Sequence, residues 1–324
     1  MDDMMGGFFA ATELQERGDL PWEDGPCCAL LSSGRAALEV LLCNLPYRPR
    51  RVWVPRMACD TLLHPPERLG LPVVRYACDE QLRPLLPTDA GEEDALILIN
   101  YFGVTGAAVE AAASDFRGPV LVDATTALHA PLPEHAAGVF YSFRKFLPVA
   151  DGGAAVARYP LTRLPEAEDD SRTRERFLHL RAAQGAHAAA AAAQEAEDSL
   201  SAAPKKLSPQ TRERLRGINC AAAAAHRREN YRLLHAALGP LNRLELPAEP
   251  PAAPMCYPLV SGIPDLRDSL VDAGIALPLF WPEVIAATAP HEAENRLART
   301  LLPLPLDQRY TDADMQHLLR LIGC

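Results

Sequence analysis

Between residues 28 and 157, short apolar segments alternate with helical patterns, and no other feature constrains the fold as much. Arg51-Val52-Trp53-Val54 is a short β segment ended by Pro55, and Pro72–Tyr76 is a second. Residues 94–100 are almost continuously apolar, which suits a strand buried on both faces, and Pro119–Asp123 has the same character. Between these lie helical stretches. Residues 34–45 place Ala37, Leu38, Leu41 and Leu42 at helical spacing just after Ser32-Ser33-Gly34. Residues 58–69 predict a helix that Pro65-Pro66 should bend or interrupt, and residues 105–116 a helix of small side chains. Two strands near 138–142 and 153–157 then follow with no helix between them. Repeated strand–helix–strand units mean an α/β fold, a mostly parallel sheet with helices on both faces.

Past residue 160 the composition changes. The alanine-rich stretch 179–203 predicts a helix, because alanine has the best intrinsic helix propensity, and a second long helix is expected from Ser208 to Leu238, before Gly239-Pro240. Residues 241–324 read as a compact α/β unit with strands near 243–246, 255–260 and 275–280 and helices near 264–273 and 311–322. A chain of 324 residues suits this division into a large domain, 1–238, and a smaller one, 239–324.

Charge and cysteine usage exclude several classes of function. A net charge of −10 argues against nucleic acid or an anionic membrane as the partner, since both need clustered positive charge. No apolar run approaches the roughly 20 residues of a membrane span. The acidic start, Met1-Asp2-Asp3, lacks the order of a secretory signal. The eight cysteines form no CxxC pair, so neither a zinc ribbon nor a disulfide framework is indicated, and no His, Cys and carboxylate cluster has metal spacing. A soluble, cytoplasmic protein is expected.

In an open parallel sheet, ligands bind at the carboxyl ends of the strands. Ser33-Gly34-Arg35 opens the first helix there, Asn100 and Asp123 end two buried strands, and Ser142, Arg144 and Lys145 follow a third. Each has an ordinary reading alone, as cap, turn or solvated surface. Together they should converge on one rim. His226-Arg227-Arg228-Glu229 reads as a solvated helix face, His129 as a structural histidine, and Phe280-Trp281 as core or as a cover for a substrate.

These segments resemble the pyridoxal-phosphate enzymes of fold type I, and among them the DegT/DnrJ/StrS sugar aminotransferases. Ser33-Gly34-Arg35-Ala36-Ala37-Leu38 matches that family's helix-opening segment, and Val54-Pro55 through Gly70 its strand, proline and glycine. Asn100-Tyr101-Phe102-Gly103 matches its H-x-Y-G turn, Asp123-Ala124-Thr125-Thr126 its D-A-A-Q, and Lys145 with Gly152-Gly153 its lysine segment. Leu302-Pro303-Leu304-Pro305 resembles its closing strand. The resemblance implies a three-layer fold type I transferase with pyridoxal 5'-phosphate as cofactor. It makes Lys145 the catalytic Schiff-base lysine, and Asp123 the carboxylate that keeps the cofactor ring protonated. Gly34, Arg35, Ala36 and Ser142 would bind the phosphate, with Thr126, Cys59 and Asn100 as further cofactor neighbours.

The implied reaction takes an amino group from an amino acid donor to a keto group, of a nucleotide-linked sugar or a related intermediate. The active site would lie between the subunits of a homodimer. Departures from the pattern point to a divergent subgroup. Cys59 stands where the family has a stacking aromatic, Thr126 for its glutamine and Asn100 for its histidine. In the partner-supplied N-x-R motif the asparagine is missing, with Lys206 near the arginine's place. These changes keep two alternatives open: another pyridoxal-phosphate reaction, such as elimination or dehydration, or a non-catalytic relative.

Overall fold

The structure is a computed structural model that describes residues 4–14, 18–201 and 203–324. Seven strands form one sheet: β1 (Cys28–Leu31), β2 (Val52–Pro55), β3 (Val73–Tyr76), β4 (Ala95–Ile99), β5 (Val120–Asp123), β6 (Gly138–Ser142) and β7 (Gly153–Ala157). Their spatial order is β1-β7-β6-β5-β4-β2-β3. Strands β2 to β6 pair parallel to their neighbours, whereas β7 runs antiparallel to both β6 and β1. The strand pair without an intervening helix is therefore an antiparallel turn at one side of a parallel sheet, where a short connection suffices.

Alternate residues of each strand enter different cores. Leu96, Leu98, Val120, Val122, Val139 and Tyr141 join one buried cluster, and Ala95, Ile97, Leu121 and Phe140 the other. Both faces are covered, which is why these strands read as unbroken apolar runs. Helix α1 (Gly34–Cys43) and helix α2 (His64–Arg68) lie on the second face, through Leu38, Leu41 and the adjoining Leu62. Helix α3 (Gly106–Asp115) and later helices cover the first. Pro65-Pro66 does not interrupt a longer helix. It lies in the first turn of α2, behind a short 3-10 turn at Asp60–Leu62, where a missing N–H costs nothing.

Two long helices expected from the sequence are each divided. The alanine-rich stretch forms α4 (Arg176–Gln184) and α5 (Ala186–Asp198), separated by Gly185 at φ +86°, a left-handed conformation that glycine adopts without strain. The next forms α6 (Pro209–Leu215) and α7 (Cys220–Leu238), and Asn219 caps the latter by accepting from the Ala222 amide. Ser208 caps α6 in the same way, through the Thr211 amide.

The C-terminal part has one two-stranded antiparallel sheet, β8 (Tyr257–Leu259) with β9 (Leu302–Leu304). Helices α8 (Leu266–Asp272), α9 (Pro282–Ala287), α10 (Ala293–Thr300) and α11 (Asp312–Ile322) surround it. The strands expected near 243–246 and 275–280 do not form; Ile275 makes only an isolated bridge to Met5. Prolines at 247, 278 and 282 restrict both segments. The 226–229 helix face is also not wholly solvated. Arg227 is 2% exposed, and its guanidinium donates to the Pro254 and Met255 carbonyls and to Gln308 while covering the Phe146 ring. Asn230 is likewise buried, donating to three carbonyls of 306–310.

The amino-terminal edge of the sheet is pinned by Asp94, which accepts from Arg50, Arg51, the Trp53 indole and the Gly91 amide. Burial alone would push this carboxyl up, but the donors hold it near 2. All eight cysteines are free. Among the described residues no group of His, Cys, Asp and Glu could hold a metal, and no helix is long and apolar enough to cross a membrane.

Candidate active site

Asp123 ends β5 and pairs in register with Ile99 of β4 and Phe140 of β6, so Ser142 lies on the neighbouring strand at the same edge. The chain then turns. Phe146 and Leu147 donate to the Phe143 carbonyl, Phe143 donates to Gly152, and the buried Phe146 ring anchors the turn. Gln308 and Arg227 both reach the Phe146 carbonyl from other parts of the chain. Lys145 is thus carried on a fixed backbone.

Two glycines allow the helix end to come close. A Cβ on Gly153 would lie 2.8 Å from the Ser33 carbonyl carbon and 2.4 Å from the Tyr141 oxygen, so any larger residue would push α1 off β7. A Cβ on Gly34 would lie 2.8 Å from the Thr125 methyl. The N-terminus of α1 therefore sits directly against the Asp123–Lys145 corner. Ser33 caps it by accepting from the Ala36 amide at 3.2 Å, which leaves the Gly34 and Arg35 amides without a partner among the described residues. The Ala36 amide expected to bind an anion is already used.

The chain holds only three lysines, at 145, 205 and 206. Lys205 pairs with Asp169 and Lys206 is exposed; Lys145 alone stands at the strand ends. Its Nζ donates to Thr125 Oγ1 at 3.1 Å, and the Thr125 amide donates to Asp123 Oδ1 at 2.8 Å. Burial pushes the Asp123 carboxyl above its usual range, while the Lys145 ammonium and the Thr125 amide and hydroxyl pull the other way. A buried carboxylate with so few donors is a receptor for a cation. Thr125 was not among the expected site residues, although it stands within the Asp123-Ala124-Thr125-Thr126 segment.

Ser33, Gly34, Arg35, Asp123, Ser142 and Lys145 line one cleft, with Cys59, Thr61 and Leu62 on its far side. Cys59 is exposed there and touches Thr61 Oγ1 at 3.0 Å. Asn100 and Thr126 do not line it. The Asn100 carbonyl accepts from the Thr126 hydroxyl at 3.1 Å, its side chain accepts from the Thr105 amide, and Thr126 accepts from Phe102. Both side chains are thus tied to the turn after β4. Phe280 and Trp281, half-buried, pack on Phe102 and Tyr101 at the margin of the core and do not line the cleft. His129 has a buried Nε2 without a partner and lies beside Trp22; burial pushes its pKa down, as for a neutral structural histidine. A larger cavity, about 790 Å3, lies between Gly18–Asp24 and Leu207–Arg216 and has no lysine, serine, threonine or cysteine among its lining residues.

Neither a protein-family model nor a curated protein sequence matches the chain. Solved structures do. A DegT DnrJ EryC1 StrS aminotransferase from Brucella abortus superposes with a TM-score of 0.61 at 17% identity, over 91% of this chain and 85% of that one. The chain has the sugar-aminotransferase fold. The sugar aminotransferase CalS13 from Micromonospora echinospora gives 0.58 at 18% identity, covering 91% and 86% of the two chains. NtdA from Bacillus subtilis, solved with bound cofactor PMP, gives 0.58 at 14% over 92% and 73%. In this aminotransferase fold the Lys145 corner occupies the carboxyl edge of the parallel strands, where an α/β sheet binds its ligands.

The side chains of the cleft fit pyridoxal phosphate chemically. They comprise one amine, one buried carboxylate short of donors, and a helix N-terminus with unpaired amides beside a serine hydroxyl. The space is narrow, about 70 Å3, against roughly 300–1,000 Å3 for an ordinary ligand pocket. Glu197, in the last turn of α5, and Leu200, just past that helix, belong to its lining.

Proposed function

We propose that the chain is a pyridoxal-phosphate-dependent aminotransferase that moves an amino group from an amino acid to a keto group, most concretely that of a nucleotide-linked sugar or a related biosynthetic intermediate. The observation that carries this reading is the Lys145–Thr125–Asp123 corner at the sheet edge. The fold shared with sugar aminotransferases supports it. A homodimer, a cytoplasmic location, and a cofactor domain of residues 1–238 with a smaller domain of 239–324 belong to the same proposal.

When bound, the cofactor supplies an electron sink for the pair left as a substrate C–H bond breaks. The rest is work for this chain's residues. Lys145 Nζ would hold the cofactor and, displaced from it by the donor's amine, would be the free base that accepts the proton from the donor's carbon. Asp123 would pair with the ring nitrogen of the bound group, which would compensate its buried charge and favour a protonated ring. The Gly34 and Arg35 amides and the Ser142 hydroxyl would bind its phosphate. Thr125 links the amine to Asp123, accepting from Lys145 through its hydroxyl and donating to Asp123 through its amide.

The test is a half-reaction. Cofactor-loaded protein mixed with L-glutamate is expected to release about one equivalent of 2-oxoglutarate per active site without an acceptor, and Lys145→Ala protein none. Failure with every amino donor tried, but ammonia and pyruvate from serine, assigns elimination instead. That second reading is favoured by Cys59, a small exposed side chain at the cleft where the resemblance calls for an aromatic ring.

A further inference from the structure

The side chain next to Lys145 is Arg144, and both line the same cleft. Its guanidinium meets the Glu197 carboxylate with two contacts, Nη2 to Oε1 at 2.7 Å and Nη1 to Oε2 at 2.5 Å. This parallel pairing is how arginine recognises a free carboxylate. Glu197 comes from the last turn of α5, and Leu200, 7% exposed, follows it into the lining. Both line the cleft, whose volume is about 70 Å3.

The helix that delivers Glu197 buries little side-chain area, although it packs along α4. Its buried positions are all alanines: Ala186, Ala189, Ala192 and Ala196. Ala192 and Ala196 pack in a small cluster, around Phe9, Phe177 and Leu178, separate from the two main cores. Alanines bury little apolar area, and the Arg144–Glu197 pair is 29% and 41% exposed, so water and salt weaken it. A ligand carboxylate can replace Glu197 at small cost.

We propose that Arg144 is the carboxylate receptor of this cleft and that Glu197 occupies it as a built-in stand-in, so that a substrate enters by exchanging its own carboxylate for that of Glu197. This rests on the aminotransferase reading in one respect: the carboxylate so received is that of the amino donor, held beside the Lys145 amine. The end of α5 then moves off the cleft, and the space needed for the reacting groups opens with it.

The experiment is calorimetric titration of the full chain, without cofactor, with glutarate, a dicarboxylate with no amine to react, and separately with inorganic phosphate. Glu197→Gln is expected to bind glutarate about threefold or more tighter than the wild type, the internal competitor being removed. Arg144→Gln should bind it about tenfold or more weaker, and Arg144→Lys should fall between. Equal affinities in wild type and Glu197→Gln, or no glutarate binding by either, overturn the proposal. A gain for phosphate alone overturns the carboxylate assignment. Cofactor uptake at Lys145, measured on the same proteins, keeps the two readings apart: its loss in the wild type would sink the aminotransferase reading, while the glutarate series judges Arg144.

Discussion

Asp123→Asn protein is expected to take up the cofactor at Lys145 and to turn over about 10²–10³-fold more slowly. The amide keeps the shape and the hydrogen bond from the Thr125 amide, but carries no charge to hold a proton on the ring nitrogen. Preorganised charges aimed at such positions are worth about 3–4 kcal/mol of barrier. The folded protein should not suffer. Burial already pushes the Asp123 carboxyl up, so without cofactor its ionised form is a liability. The sign follows: this carboxyl stabilises the cofactor-free fold at pH below its unfolded pKa, and that contribution is lost as pH rises through the higher folded value. Asp123→Asn removes this dependence and should melt no lower than the wild type at neutral pH. Turnover within about threefold of the wild type would contradict the assigned role.

The second large effect is on stability. Arg174 is 7% exposed and donates to Asp151 at 3.0 Å and to Asp169, carboxylates that are 0% and 2% exposed. Lys205 also pairs with Asp169, and the Ser208 and Thr211 hydroxyls donate to Asp151. Asp151 directly precedes Gly152-Gly153, so this network anchors the far end of the turn that carries Lys145. Arg174→Ala leaves two buried carboxylates, one with only hydroxyl donors, and should cost about 3–5 kcal/mol in urea unfolding. Part of that is repulsion between the carboxylates, since Asp169 raises the Asp151 pKa on top of the larger effect of burial. Adding Asp151→Asn and Asp169→Asn to Arg174→Met should recover most of the loss, because no charge then stays buried. A loss under about 1 kcal/mol for Arg174→Ala would show that the network is not a structural anchor.

Much of the parallel sheet was legible because its strands bury both faces, which leaves apolar runs such as Ala95–Ile99 between helix-period segments. The corner residues Asp123, Ser142 and Lys145 were legible for a related reason: polar side chains directly after buried strands have few places to go except the carboxyl edge. Where the reading failed, tertiary contacts decided. Asn100 and Thr126 face the turn after β4 because they satisfy one another and the Phe102 amide, a pairing across the fold that no local pattern contains. Arg227 reads as one more charge on a helix, yet it is buried because carbonyls at 254 and 255 and the Phe146 ring receive it. Gly185 divides an alanine-rich stretch whose propensity favours one continuous helix, because its positive φ ends α4. Glu197 had no signal at all, since only the packing of α5 brings it to Arg144.

The attachment site tests the account most directly. Protein mixed with pyridoxal phosphate, reduced with borohydride and digested, should carry the label on the peptide containing Lys145, near one per chain, and Lys145→Ala protein should carry none. Label on Lys205 or Lys206 instead, or on no lysine, would contradict the assignment of the Asp123–Lys145 corner as the place where the chemistry happens.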